Sequence, residues 1–139
     1  LRDMEISNHE RTGSAGGGAI YTAKKAALNI ESCSIKNNST TNNRAGGAIL
    51  AEGLLTINRC EFIDNVAATA GGAIYIDQQG TCFVNNSTFE SNQASTTNGG
   101  AICVNGEIHL TGCEFMRNDV AKGDGGAIGL TGKFFQRQK

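Results

Sequence analysis

The chain has 139 residues and a mass of 14.5 kDa, room for one domain with a core but not for two of ordinary size. Charged residues make up only 18%, against charge-driven disorder, and 12 Lys and Arg against 13 Asp and Glu leave no basic surplus for a phosphate backbone. No apolar run approaches the ~18 residues of a membrane-spanning helix, and nucleic acid is not an expected partner.

In chain order, the first landmark is Gly-Gly-Ala-Ile at 17–20, which returns at 46–49, 71–74, 99–102 and 125–128. The successive starts are 29, 25, 28 and 26 residues apart. Between them falls an apolar residue followed three later by Asn: Ile35/Asn38, Phe62/Asn65, Phe89/Asn92 and Phe115/Asn118, at steps of 27, 27 and 26. Two independent markers on one period make this a repeat protein.

Each repeat holds three short alternating runs. The first follows the glycines (Ile20/Thr22, Ile49/Ala51, Ile74/Ile76, Ile102/Val104, Ile128/Leu130). The second is Leu28/Ile30, Leu55/Ile57, Cys82/Val84 and Ile108/Leu110, and the third Cys33/Ile35, Cys60/Phe62, Ser87/Phe89 and Cys113/Phe115. Period-two alternation rich in β-branched and aromatic residues predicts strands, and no window carries a helical period with caps. Three strands per repeat of about 27 residues predict an all-β fold: a right-handed parallel β-helix with three sheets and about five coils. At ~4.8 Å per coil the column is about 24 Å tall.

In such a coil each inward residue sits above its equivalent. Phe62, Phe89 and Phe115 are therefore expected as an aromatic stack. Asn38, Asn65, Asn92 and Asn118 are expected as a corner ladder bonded amide to amide. The Gly-Gly pairs mark another corner, where a left-handed backbone or close coil contact excludes a Cβ. The segments 39–45, 66–70, 93–98 and 119–124 absorb the differences in repeat length. Proline is absent because strand amides must donate to the next coil.

The alternation of Gly-Gly-Ala-Ile with Phe-x-x-Asn resembles the repeat of the chlamydial polymorphic membrane proteins and of similar surface proteins in other bacteria and protists. All five glycine units and Phe62/Asn65, Phe89/Asn92 and Phe115/Asn118 carry the match, with Ile35/Asn38 a softened copy, over residues 17–130. The resemblance implies a surface-exposed passenger used in adhesion or coating.

The glycine runs lead into a strand rather than a helix N-terminus, which argues for turns over a phosphate loop. Glu61 and Glu114 share an outward position two coils apart, with Thr88 between, about 9.6 Å and within the inverting-glycosidase range, yet with no cleft. Asp64 stands alone, with Ser91 and Arg117 at its place in later coils, and His9 and His109 lie almost four coils apart. No catalytic residue, cofactor or metal is assigned: the cysteines form no Cys-x-x-Cys pair and have no His set beside them. Cys33, Cys60 and Cys113 hold one inward position, Ser87 completes it, and Cys82 is also inward. They read as small core filler, with a Cys33–Cys60 disulfide within bridging range as the sharper alternative. Overlapping sequons make Asn37, Asn85 and Asn86 candidates for N-glycosylation, while Asn38 is reserved for the ladder.

The expectation is a single domain over 1–139, with neither end capped and the first markers at about residue 20. It reads as a segment of a longer solenoid or fibre. The function expected is a non-enzymatic structural or adhesive extracellular or cell-surface element, with a carbohydrate-active lyase-like or hydrolase-like β-helix as the alternative. Expected partners are further copies, joined end to end or laterally, and host or cell-surface glycans or proteins. Tyr21, Leu50, Tyr75 and Cys103 alternate outward beside each Ile and form the expected contact stripe.

Overall fold

The computed structural model describes residues 1–13 and 16–137, the last five by backbone alone. Among them are twenty short strands in four five-stranded sheets, and every pairing is parallel. The first sheet holds Ile20–Thr22, Ile49–Ala51, Ile74–Ile76, Ile102–Val104 and Ile128–Leu130. The second holds Ala27–Glu31, Leu54–Asn58, Thr81–Asn85, Glu107–Thr111 and Lys133–Arg137. The third holds Glu5–Ser7, Ser34–Lys36, Glu61–Ile63, Thr88–Glu90 and Glu114–Met116. Each strand pairs with its equivalent in the next coil, so the chain winds as a β-solenoid of about five turns.

Four sheets stand where the alternation predicts three. The fourth lies within the variable segments and consists of two-residue strands: Glu10–Arg11, Ser39–Thr40, Val66–Ala67, Gln93–Ala94 and Asp119–Val120. Two residues are too few to show a period, which is why alternation does not reveal them. The coil also starts earlier than the glycine marker indicates, because Glu5–Ser7 pairs with Ser34–Lys36 and aligns Ile6 with Ile35. At the other end Lys133–Arg137 continues the second sheet.

Alternation puts one residue set into the column, and register stacks it. Ile49, Ile74 and Ile102 lie over one another, as do Leu55, Cys82 and Ile108, all buried without exposed surface. Flat stacking of this kind leaves no room for a Cβ where coils touch. A Cβ on Gly72 would stand inside the contact surface of the Gly100 carbonyl and of the Gln93 backbone. Its neighbour Gly71 is required for a different reason, a left-handed φ of +62°. The corners before and after the third sheet use left-handed residues too, at Ser32, Arg59 and Asn86 and at Asn37, Asp64, Ser91 and Arg117. Three of them, Asn37, Asn86 and Asp64, are the types that tolerate that conformation.

Candidate functional site

The polar interior is a chain of hydrogen bonds along the column. Asn38, Asn65 and Asn92 are fully buried. Nδ2 of Asn38 donates to Oδ1 of Asn65 at 3.0 Å, Asn65 to Asn92 at 2.9 Å, and Asn92 to Asn118 at 3.0 Å. Each Oδ1 also accepts the backbone N–H of the preceding Asn, at 3.1 Å for Asn65 onto Asn92. Each remaining amide proton goes to a backbone carbonyl, as from Asn92 to Phe62 at 2.9 Å. The row begins one coil earlier than the Asn pattern shows, since Asn38 Oδ1 accepts from the backbone N–H of His9 at 3.1 Å, with the His9 ring Nδ1 at 3.2 Å. Beside this row Phe62 and Phe89 stack at 4.7 Å and 4°, and Phe89 and Phe115 at 4.9 Å and 8°.

A second row runs through the cysteines. All five are free thiols, so Cys33 and Cys60 are not bridged. The Cys33 N–H instead donates to Cys60 Sγ at 3.5 Å, and the Cys60 N–H to Ser87 Oγ at 3.0 Å. Each side chain turns back to the carbonyl two residues earlier: Cys60 to Asn58 at 3.3 Å, Ser87 to Asn85 at 2.8 Å. The position therefore selects a small side chain able both to accept and to donate, which explains Ser87 among cysteines. Burial pushes the thiols of Cys60, Cys103 and Cys113 up, and that of Cys82 most strongly.

On the outside, Tyr21, Leu50, Tyr75 and Cys103 lie in register on the first sheet. They do not form an open stripe. Tyr21 is 46% exposed, Leu50 and Tyr75 are half-buried, and Cys103 is 5% exposed. Asn43–Ala45, Thr69–Ala70 and Thr97, from the segments before three of the Gly-Gly pairs, lie over this face, a roofing that alternation alone does not foresee. Between roof and sheet is a cleft of about 420 Å³. Leu50 and Tyr75 form its floor; Asn43, Arg44, Thr69 and Thr97 come from the roof, and Glu52 closes one side. Two bonds pin Arg44, whose carbonyl accepts from Thr40 Oγ1 at 3.0 Å and from the Thr69 N–H at 2.9 Å. Its Nε is shut from solvent with no hydrogen-bond partner. Glu52 accepts from the Tyr21 hydroxyl at 2.8 Å, a bond that raises the Tyr21 pKa.

The other candidates stay apart. Glu61 and Glu114 are exposed on the third sheet with Thr88 in register between them. His109 pairs with Glu107 at 2.5 Å and stacks on Phe83 at 4.5 Å, on the outer face of the second sheet. Among the described residues no group of His, Cys, Asp and Glu gathers to hold a metal ion. Of the sequon residues, Asn37 and Asn86 are exposed at left-handed corners, and Asn85 is half-buried in a strand.

The family whose description is "Right handed beta helix region" matches residues 2–135. The chain belongs to the right-handed β-helix family. Within the curated proteins, this β-helix chain is 27% identical over 131 residues to "Metabotropic glutamate receptor-like protein R" of Dictyostelium discoideum. The match spans 93% of the β-helix chain and 8% of that relative's length. No solved structure matches it significantly.

Proposed function

We propose that this β-helix is a non-enzymatic structural or adhesive element at the cell surface, which presents its outer columns to glycans, proteins or further copies of itself. The observation that carries this reading is a division of labour. The groups that hold the coil, the Asn row, the Cys/Ser row and the phenylalanines, point inward and repeat. The outer columns do not repeat: Ser34, Glu61, Thr88 and Glu114 occupy one of them, and Lys36, Ile63, Glu90 and Met116 the next. A scaffold that fixes its interior and varies its exterior suits recognition by surface. The receptor-like name of the relative supports an extracellular or surface location. The coil is read as right-handed, the hand favoured by parallel crossovers. The repeat is read as of the polymorphic membrane protein kind.

Beads coated with the folded chain are expected to be retained on cells, and beads coated with heat-unfolded chain are not. Equal retention of both would refute the reading.

A further inference from the structure

We propose that Asn37 and Asn86 carry N-linked glycans and that the overlapping acceptors Asn38 and Asn85 stay bare. This rests on the extracellular or cell-surface reading, which takes the chain through a secretory pathway. The sequence offers its acceptors in two overlapping pairs: Asn37-Asn38-Ser39 with Asn38-Ser39-Thr40, and Asn85-Asn86-Ser87 with Asn86-Ser87-Thr88. Spacing does not choose between the members of a pair; the coil does. The glycan donor is a lipid-pyrophosphate-linked oligosaccharide. Asn Nδ2 bonds to the anomeric carbon of its first sugar, the bond from that carbon to the phosphate oxygen breaks, lipid pyrophosphate leaves, and Nδ2 gives up one proton. A modified Asn therefore keeps a single N–H and needs open space at Nδ2.

Asn38 meets neither condition. It is fully buried, and both amide protons are in use, on the Ile6 carbonyl at 3.0 Å and on Asn65 Oδ1 at 3.0 Å. A sugar there would break a rung of the ladder and enter the column, so a chain modified at Asn38 could not close that coil. Asn85 is half-buried in a strand, in register between Asn58 and Thr111 at the ~4.8 Å spacing of paired strands. A pyranose ring on Asn85 would have to displace one of them. Asn37 and Asn86 are exposed at corners on opposite sides of the third sheet, with left-handed φ of +55° and +49°. In the next coil Gly112 follows Thr111 as Asn86 follows Asn85, and a Cβ on it would stand 2.6 Å from Asn86 Oδ1. Glycine at that place leaves the Asn86 amide its room. Long side chains already reach solvent from the same corners: Arg59, one coil from Asn86, is 58% exposed, and Arg117, in the corner column of Asn37, is 68% exposed.

The test is site mapping on the full chain secreted from a eukaryotic host. Peptide N-glycosidase in heavy-oxygen water converts each glycan-bearing Asn to labelled Asp, and mass spectrometry of the peptides locates the label. Label is expected at Asn37 and Asn86 and not at Asn38 or Asn85. Two variants sharpen the choice. Ser39→Ala removes the Asn37 acceptor and keeps that of Asn38, while Thr88→Val removes the Asn86 acceptor and keeps that of Asn85. Each should lose one glycan, and the remaining acceptor of the pair should stay bare in the secreted chain. If either variant is not secreted, Asn37→Asp or Asn86→Asp, which suits a left-handed corner, removes the same glycan. A bare Asn37 or Asn86 in the secreted unmutated chain, or label at Asn38 or Asn85 in a chain that keeps its β-sheet circular dichroism, would overturn the proposal. An empty map with bead retention intact refutes the glycan sites alone; loss of bead retention with the map as expected refutes the wider reading.

Discussion

Asn92→Ala removes one rung from the middle of the buried row. The Asn92 side chain takes two donors on Oδ1, the Asn65 N–H at 3.1 Å and the Asn65 amide at 2.9 Å, and donates to the Phe62 carbonyl at 2.9 Å. It also donates to Asn118 Oδ1, which still keeps the backbone N–H of Asn92 at 3.0 Å, so that oxygen is not orphaned. The substitution therefore strands two donors, the Asn65 N–H and one proton of its side-chain amide, and takes one donor from the Phe62 carbonyl, in a site with no exposed surface to admit water. At ~1–3 kcal/mol for each of the two donors left unpaired, the loss should be about 2–6 kcal/mol. Asn118→Ala strands similar groups in the last rung, but Asn118 is half-buried, and its loss should be clearly smaller. Urea unfolding followed by far-ultraviolet circular dichroism measures both, alongside Asn29→Ala as an exposed strand control. A loss below about 0.5 kcal/mol for Asn92→Ala, or one no larger than for Asn29→Ala, would refute the ladder reasoning.

Other consequences are open to the same assay. Phe89→Ala opens a cavity between rings at 4.7 and 4.9 Å and should cost about 3–5 kcal/mol; a surface-sized effect would contradict the stack. Gly72→Ala forces a methyl into backbone on two sides and should prevent stable folding, while recovery of wild-type stability would show that the coils do not approach so closely. Burial raises the folded-state pKa of Cys60, Cys82, Cys103 and Cys113, so the stability this contributes is full below the ordinary thiol value of about 8.5 and is lost as pH rises above it. Stability should fall on alkaline titration, and less steeply once Cys82 is replaced by Val; a flat profile would count against buried thiols.

The parts of the fold legible in the sequence are those whose side chains repeat in kind. Ile after Gly-Gly, Phe, and Asn three later are demanded at every coil by one environment, so their spacing alone locates the first and third sheets. The two-residue strands such as Ser39–Thr40 escape because backbone bonding makes them and no side-chain pattern is required. His9 and Ile6 escape because the first coil uses another residue where later ones use Asn. The cysteine positions are visible, but their hydrogen bonding is not: only the sulfur and hydroxyl geometry shows why Ser87 belongs to the set. Cys103 alternates outward and is nevertheless buried, which alternation along one strand does not reveal. The cleft is the least legible feature, since Arg44, Glu52, Thr69 and Thr97 belong to different coils and share no motif.

The central claim is recognition without turnover, and it is tested most directly by the chain length of an acidic polysaccharide during incubation with the protein. Hyaluronan and polygalacturonate are each held with the folded chain and their size distribution is followed by gel filtration with light scattering. The account predicts distributions that do not change with time while the protein co-elutes with at least one polymer. Progressive shortening that disappears in Glu61→Gln or Glu114→Gln would contradict it.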